Sequence, residues 1–427
     1  MSNSYHIETK CIHSGWKPKN GEPRQIPICQ STTFKYSSAD EMGKLFDLES
    51  NGYFYTRLQN PTNDAVASRI ADLEGGVGAM LTSSGQAAVF FAITNICEAG
   101  DHMICASEIY GGTLNLAGVT LKKFGIDCTF ISVDSTEEEI EQAFQPNTKL
   151  VFGETVSNPA LAVLDIEKFA KVAHKKGVPL IVDNTFATPI NCHPFTWGAD
   201  IVVHSTTKYM DGHAAQVGGC IVDSGNFDWE AHADKFKGLT TPDASYHGVI
   251  YTQRFGKLAY ITKATTQLMR DLGATPSPLS SFLLGMSLES LPLRVERHCQ
   301  NALAIAKYLQ SHEKIQCVNY PGLPGDKYYE LAQKYMPNGV CGVISAELKG
   351  GREAAVKFLD QLKLASIATH VADAKTCVLH PASHTHRQLT DEQLKEAGVS
   401  TGLIRLSIGI EHVDDLIADM EQALQNV

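Results

Sequence analysis

Three polar groups stand where apolar runs end, and their types suit them to chemistry. Asn158 follows "TKLVFGETV", Asp183 closes "VPLIVD", and Lys208 lies in "STTKYMDGH", just past "ADIVV". In open α/β sheets, ligands bind at the C-terminal edges of the strands. Asp183 and Lys208 are one strand apart, so neighbouring strands could bring a carboxylate and an amine to one crevice. Singly, Asp183 reads as a turn cap and Lys208 as a surface lysine; on consecutive strand ends they read together as a site. A second element is "LTSSGQAAVFF", where small residues open a helix after a strand. The free N–H groups around Ser84, Gly85 and Gln86, with the helix dipole behind them, suit a phosphate. The same stretch also reads as a core helix capped by Ser84. Tyr110, in "EIYGGT", follows a strand and precedes two glycines that let a flat group approach. Arg405, inside "GLIRLSIG", is suited to a bidentate grip on a carboxylate, or to a structural ion pair.

One chemistry uses all of these parts. A lysine forms a Schiff base, a carboxylate keeps a pyridinium nitrogen protonated, a tyrosine stacks on the ring, and a helix N-terminus holds phosphate. Together they fit pyridoxal 5′-phosphate. There is no GxGxxG and no GxxxxGK[ST], so dinucleotide and P-loop readings lack support. His380, His384 and His386 in "LHPASHTH" have no adjacent Cys and centre on a turn-like Pro-Ala-Ser, so no metal site is expected.

The elements that must position these residues alternate between helix and strand. From Thr62 onward, "TNDAVASRIADLEGG" reads as a helix capped by Thr62 or Asn63 and stopped at Gly75. Strands at "VGAMLTSS", "DHMICAS", "DCTFISVD", "TKLVFGETV", "VPLIVDNT" and "ADIVVHSTTK" follow, with helices at "GQAAVFFAITNICEAG" and "DIEKFAKVAHKKG", the latter ending at Gly177. Near-continuous apolar strands of this kind belong to a parallel sheet covered on both faces. The fold class is therefore α/β, with a mostly parallel central sheet flanked by helices. After about residue 275, "TPSPLSS" marks a boundary. Beyond it, "VCGVISAELKG" and "GLIRLSIGIE" read as half-exposed strands among helices, a smaller C-terminal α+β domain. The expected organisation is an irregular arm over 1–60 that packs on another subunit, a large domain over 61–275 and a small domain over 276–427.

Bulk properties narrow the function classes. The chain has 427 residues, 43% hydrophobic and 19% charged, the balance of a globular protein. A formal net charge of −11 argues against nucleic acid or an anionic membrane surface as partner. Eleven cysteines without CxxC spacing, and an N-terminus "MSNSYHIETK" without a signal-peptide core, point to the cytoplasm. No apolar run approaches a bilayer-spanning length.

With these segments in order, the chain resembles the Cys/Met-metabolism family of fold-type I pyridoxal-phosphate enzymes over essentially its whole length. The resemblance is carried by "YTRLQNPTND", "TSSGQAA", "YGGT", "ETVSNP", "VDNTF", "HSTTKYMDGH", "HPASHTH" and "GLIRLSIGIE". "GLTTPDASYHGVIY" and "RDLGATPSPLSSFLLGMSLESLPLR" resemble the family's branch acting on O-acetylhomoserine. The resemblance implies that Lys208 bonds the cofactor, Asp183 faces its ring nitrogen, Tyr110 stacks on the ring, and Asn158 lies near its 3′-oxygen. It implies phosphate contacts from Ser84, Gly85, Gln86, Ser205 and Thr207, and from Tyr55 and Arg57 of a neighbouring subunit. Arg405 would bind the substrate α-carboxylate, with Lys208 moving its protons. The implied reaction joins O-acetyl-L-homoserine and sulfide, or methanethiol, to give L-homocysteine, or methionine, and acetate. The implied assembly is a dimer, paired into a homotetramer. His370 departs from the Ser or Asn common at its position beside the substrate carboxylate, and Asp211 from a common Gly or Asn. Methionine γ-lyase and the cystathionine enzymes are the alternatives within the family. Gly112 counts against the methionine lyase, which carries Cys there. A non-catalytic protein of this fold is the alternative from another class.

Overall fold

The computed structural model describes residues 5–384, 387, 390 and 400–427. The apolar runs form one seven-stranded sheet: β1 (Gly78–Thr82), β2 (His102–Ala106), β3 (Asp127–Ile131), β4 (Thr148–Glu154), β5 (Leu180–Asp183), β6 (Ile201–His204) and β7 (Gly219–Asp223). Their order is β1-β7-β6-β5-β4-β2-β3. The five strands β2 to β6 pair in parallel, while β7 runs antiparallel to both β1 and β6. Because helices cover both faces, the central strands need apolar side chains on both, and Leu180, Ile181, Val182, Ile201, Val202 and Val203 are all fully buried.

The first long helix spans Pro61–Glu74 and ends at Gly75, which takes the left-handed conformation (φ 79°) that a glycine stop requires. Its cap is Asn60, whose side chain accepts the Thr62 N–H, and not Thr62 or Asn63 as expected. Thr62 is instead tied to the arm: its hydroxyl accepts the Cys29 N–H at 2.8 Å and donates to the Pro27 carbonyl at 2.7 Å. The arm is less irregular than expected, with short helices at Ile7–His13 and Ala39–Phe46. The first of these buries Cys11 and anchors Lys10 on Asp72 at 3.0 Å. The helix Ile166–Lys175 ends one residue before expected, with Lys176 as its cap and Gly177 beyond at φ 66°.

A second sheet of five strands comprises β8 (Ile315–Asn319), β9 (Val343–Leu348), β10 (Ser366–Ile367), β11 (Cys377–Leu379) and β12 (Leu403–Ser407), in the order β10-β11-β12-β9-β8. β9 and β12 were expected to be half-exposed; they are almost wholly buried. One face is covered by the helices Leu291–Ser311 and Gly351–Gln361. The other meets the loop after β4: Ser345 and Arg405, paired across the strands, bond to Pro159 and Asn158. "TPSPLSS" is a helix start, with Ser277 capping Pro278–Glu289, and that helix packs against Pro61–Glu74.

Candidate functional site

β4, β5 and β6 are neighbours, and their C-terminal ends open onto one cavity of about 430 Å³. Asn158, Asp183, Ser205, Thr207 and Lys208 come to it from these strand ends. Ser84, Gly85 and Gln86 come from the start of the helix Gly85–Thr94, Tyr110 from the loop after β2, and Arg405 and His370 from the small sheet. Of the residues assigned to cofactor or substrate from the sequence, Tyr55 and Arg57 lie elsewhere. They line a second cavity of about 980 Å³, where Arg57 stands over the Tyr55 ring and donates to the Arg270 carbonyl.

The Lys208 side chain has no hydrogen-bond or ion-pair partner among the described residues. Burial, and then the nearby Arg405 guanidinium, pull its proton affinity below the usual lysine range. This favours the neutral, nucleophilic amine. Asp183 is pushed the other way by burial; bonds from Thr185 and the charge of His204 oppose that push. Its Oδ1 accepts both the Thr185 N–H (2.9 Å) and hydroxyl (2.5 Å), the geometry of a turn cap, while the residue also lines the cavity. The Thr185 hydroxyl also accepts the Ser205 N–H at 2.8 Å, stitching β5 to the loop that carries Lys208.

The close approach of the helix start to the loop after β6 rests on a glycine. A Cβ on Gly85 would lie 2.6 Å from the Ser205 Cβ, so only glycine lets the helix start close on the strand-end loop. Ser84 caps that helix through the Ala87 N–H at 3.1 Å, which leaves the Gly85 and Gln86 N–H groups unused by the helix. Thr207 differs from a free donor: its hydroxyl bonds the Gly218 carbonyl at 3.1 Å and accepts the Gly218 N–H at 3.0 Å. A basic amine, an unpaired carboxylate oxygen, a half-exposed tyrosine ring and a glycine-closed helix start are together the donor set that pyridoxal phosphate needs. These residues fit it.

Arg405 is buried, with Nη1 on the Asn158 side-chain oxygen at 3.3 Å and Nη2 on the carbonyls of Thr369 (3.3 Å) and His370 (3.2 Å). Its Nε has no partner among the described residues. Asn158 is therefore bound to the arginine, a link its position in the sequence did not suggest. The His370 ring reaches the same cavity. Burial first, and then the Lys208 charge, depress its proton affinity, which favours the neutral ring.

Two residues escaped the sequence reading. Glu154, the last residue of β4, pairs in register with Asp183 and accepts the Tyr110 N–H at 2.7 Å, fixing the backbone that carries the ring. Burial, and then the Asp183 charge, raise its carboxyl well above the usual range. Its signal was a charged residue ending an apolar strand, the signal used for Asp183. Thr185 was visible only as the third residue of "DNT". Gly112 acquires a steric reason: a Cβ there would lie 2.5 Å from the Tyr110 ring. Asp211 is buried and serves its own loop, accepting the Ala215 N–H at 3.0 Å beside Arg294. His380 bonds the Thr401 carbonyl at 2.9 Å, and the His384 ring accepts the His380 N–H at 3.3 Å; His386 lies outside the described residues. No cluster of metal-ligating residues occurs among the described residues.

The segment behind His370 is strained. Ala372 is fully buried at φ 67°, held by its N–H to the Ser407 hydroxyl at 2.7 Å. A left-handed non-glycine residue costs roughly 1–2 kcal/mol, against roughly 0.5–1 kcal/mol of added chain entropy for glycine. Ala372→Gly also gives up a buried methyl worth about 0.8 kcal/mol, so it is expected to leave stability within about 1 kcal/mol of wild type, read by calorimetry as a Tm within about 2 °C.

Comparisons with known proteins bear on the chain as a whole. The family described as Cys/Met metabolism PLP-dependent enzyme matches residues 8–425. Homocysteine synthase of Schizosaccharomyces pombe is 46% identical over 99% of both chains. O-acetyl-L-homoserine sulfhydrylase of Leptospira meyeri is 44% identical over 100% of this chain and 98% of its own. Among solved structures, a putative O-acetylhomoserine (thiol)-lyase of Campylobacter jejuni superposes with a TM-score of 0.95 at 38% identity, covering 99% of this chain and 100% of that one. That protein carries N′-pyridoxyl-lysine-5′-monophosphate.

Proposed function

The chain belongs to the Cys/Met-metabolism family of PLP-dependent enzymes, and from that premise we propose how its residues make L-homocysteine and acetate from O-acetyl-L-homoserine and sulfide. The reaction breaks the Cγ–O bond of the ester and forms a Cγ–S bond. The observation that carries the reading is the meeting, in one cavity, of the unpaired Lys208 amine and the Arg405 fork. When bound, pyridoxal phosphate supplies an electron sink for charge developing at the substrate's α-carbon.

Each residue then has one task. Gly85, Gln86, Ser84 and Ser205 would hold phosphate at the helix start, and Thr207 shapes that rim through Gly218. Asp183, aimed by Thr185, would hold a proton on the ring nitrogen, which an opposite charge within about 4–6 Å favours by about 1–3 pKa units. Tyr110 would cover the ring. Arg405 binds the α-carboxylate, turned toward it by Asn158, with His370 beside it. Lys208 Nζ, with its lowered proton affinity, takes the α-proton and is placed to carry protons between neighbouring carbons.

Tyr55 and Arg57 lie outside this cavity, which supports their reaching the phosphate of a second copy in a dimer, with dimers pairing into a tetramer. No helix of the described residues is long and apolar enough to cross a membrane. Eleven unpaired cysteines suit the reducing cytoplasm. The test is a steady-state comparison of the holoprotein with O-acetyl-L-homoserine plus sulfide and with methionine alone. Homocysteine formation in the first should greatly exceed thiol release in the second; the reverse order would make the protein a lyase.

A further inference from the structure

Behind the cavity, across the sheet, lies a buried polar cluster that takes no direct part in the reaction. Asp183 lines the cavity and pairs in register with Val203, so strand alternation turns the next residues, Asn184 and His204, to the opposite face. Glu74, the last residue of the helix Pro61–Glu74, meets them there. Its Oε1 accepts from Asn184 Nδ2 at 3.0 Å and lies 2.6 Å from His204 Nε2, with one proton shared between the two. Asn184 also donates to the Cys192 carbonyl at 3.0 Å and accepts the Thr155 hydroxyl at 2.9 Å. The side chains of Glu74 and His204 are 0% and 1% exposed. Apolar residues of similar volume fill such a place at no greater cost, so a buried ion pair points to a use other than stability.

Bonding partners decide where the protons sit. The Asn184 N–H on Glu74 Oε1 favours the ionised carboxyl and so puts the proton shared with His204 on Nε2, while Oε2 is buried without a partner among the described residues. His204 Nδ1 is buried and unpartnered too. The choice is between a carboxylate with a neutral ring, which buries a whole charge, and a carboxylate with an imidazolium, which leaves one N–H unbonded. An unpaired buried charge costs more than an unmade hydrogen bond. The other titratable groups facing Glu74 are the thiols of Cys192 and Cys220, both kept protonated by burial. Asp183 has Glu154 on one neighbouring strand and His204 on the other. The His204 charge favours the ionised Asp183 against the burial that opposes it.

We propose that Glu74 and His204 form a carboxylate–imidazolium pair that, from the far face of the sheet, holds Asp183 in its anionic form. Both are positioning residues. The inference rests on the reading that Asp183 faces the ring nitrogen of the cofactor.

The test uses holoprotein labelled with ¹⁵N-histidine, the His204 signal being the one removed by His204→Asn. In the wild type both ring nitrogens should be protonated at pH 7–8. In Glu74→Gln, which keeps the shape but not the charge, the ring should lose a proton. Without the cation, Asp183 binds its proton more tightly. The acid limb of the kcat profile should then move up by about one pH unit, a tenfold change in proton affinity, with KM for O-acetyl-L-homoserine within twofold. A neutral His204 ring in the wild type, or an unmoved acid limb in Glu74→Gln, would overturn the proposal. If Glu74→Gln does not fold, the wild-type spectrum decides alone. Asp183→Asn separates the two layers: unchanged kcat and cofactor absorption in that variant would refute the role of Asp183, whatever the state of His204.

Discussion

Lys208→Ala should lower kcat by about 10³–10⁴-fold, the scale of losing a proton-transfer group that is also a nucleophile. The reason is local. Lys208 is the amine on the loop after β6, it has no competing acceptor among the described residues, and burial with Arg405 keeps its proton affinity low. Because the amine has no bond to the rest of the protein, its loss should leave the Tm of the cofactor-free protein nearly unchanged. Stopped-flow and steady-state rates on the purified variant check the first expectation, and calorimetry the second. A kcat within tenfold of wild type would mean that another group moves the α-proton.

Arg405→Leu should act on binding. A hydrogen bond to a charged group contributes about 1.5–3 kcal/mol, so losing two to the substrate carboxylate should raise KM for O-acetyl-L-homoserine by about 10²–10⁴-fold. The KM for sulfide, which has no carboxylate, should stay within about threefold, and kcat should fall far less than in Lys208→Ala. Leucine is chosen because Arg405 is buried in a strand between the apolar side chains of Ile404 and Leu406, so an apolar replacement fits the strand. Equal rises in both KM values would show that the arginine shapes the cavity without gripping substrate.

The two variants also show what was readable before the structure. The parallel sheet was legible because strands covered on both faces need continuous Val, Ile and Leu, and the runs around Ile181 and Val202 have them. Lys208 and Asp183 stood out because each ends such a run with a charge, and polar groups at strand ends are the ones a sheet can present. Tyr110, the phosphate-binding set and Arg405 were visible as residue types, while their shared destination came from family resemblance. Tertiary partners were not legible. β9 and β12 alternate like half-exposed strands, yet the loop after β4 covers their polar face. Asn158 was placed near the cofactor, and its bond to Arg405 joins residues 247 positions apart. Glu74 looked like the end of an ordinary helix before Gly75. Only the meeting of that helix end with β5 and β6 makes it the partner of His204. Asn60 displaced Thr62 as the cap because Thr62 is used to hold the arm, a choice that local propensity does not contain.

The central claim is that this cavity, through Lys208, holds pyridoxal phosphate. Borohydride treatment of the holoprotein, followed by peptide mass mapping, tests it most directly. The reduced pyridoxyl group is expected on the peptide containing Lys208, with loss of the cofactor's visible absorption. A label on another lysine, such as the buried Lys263 whose amine burial lowers to about 8, or no label on a protein that stays active, would contradict it.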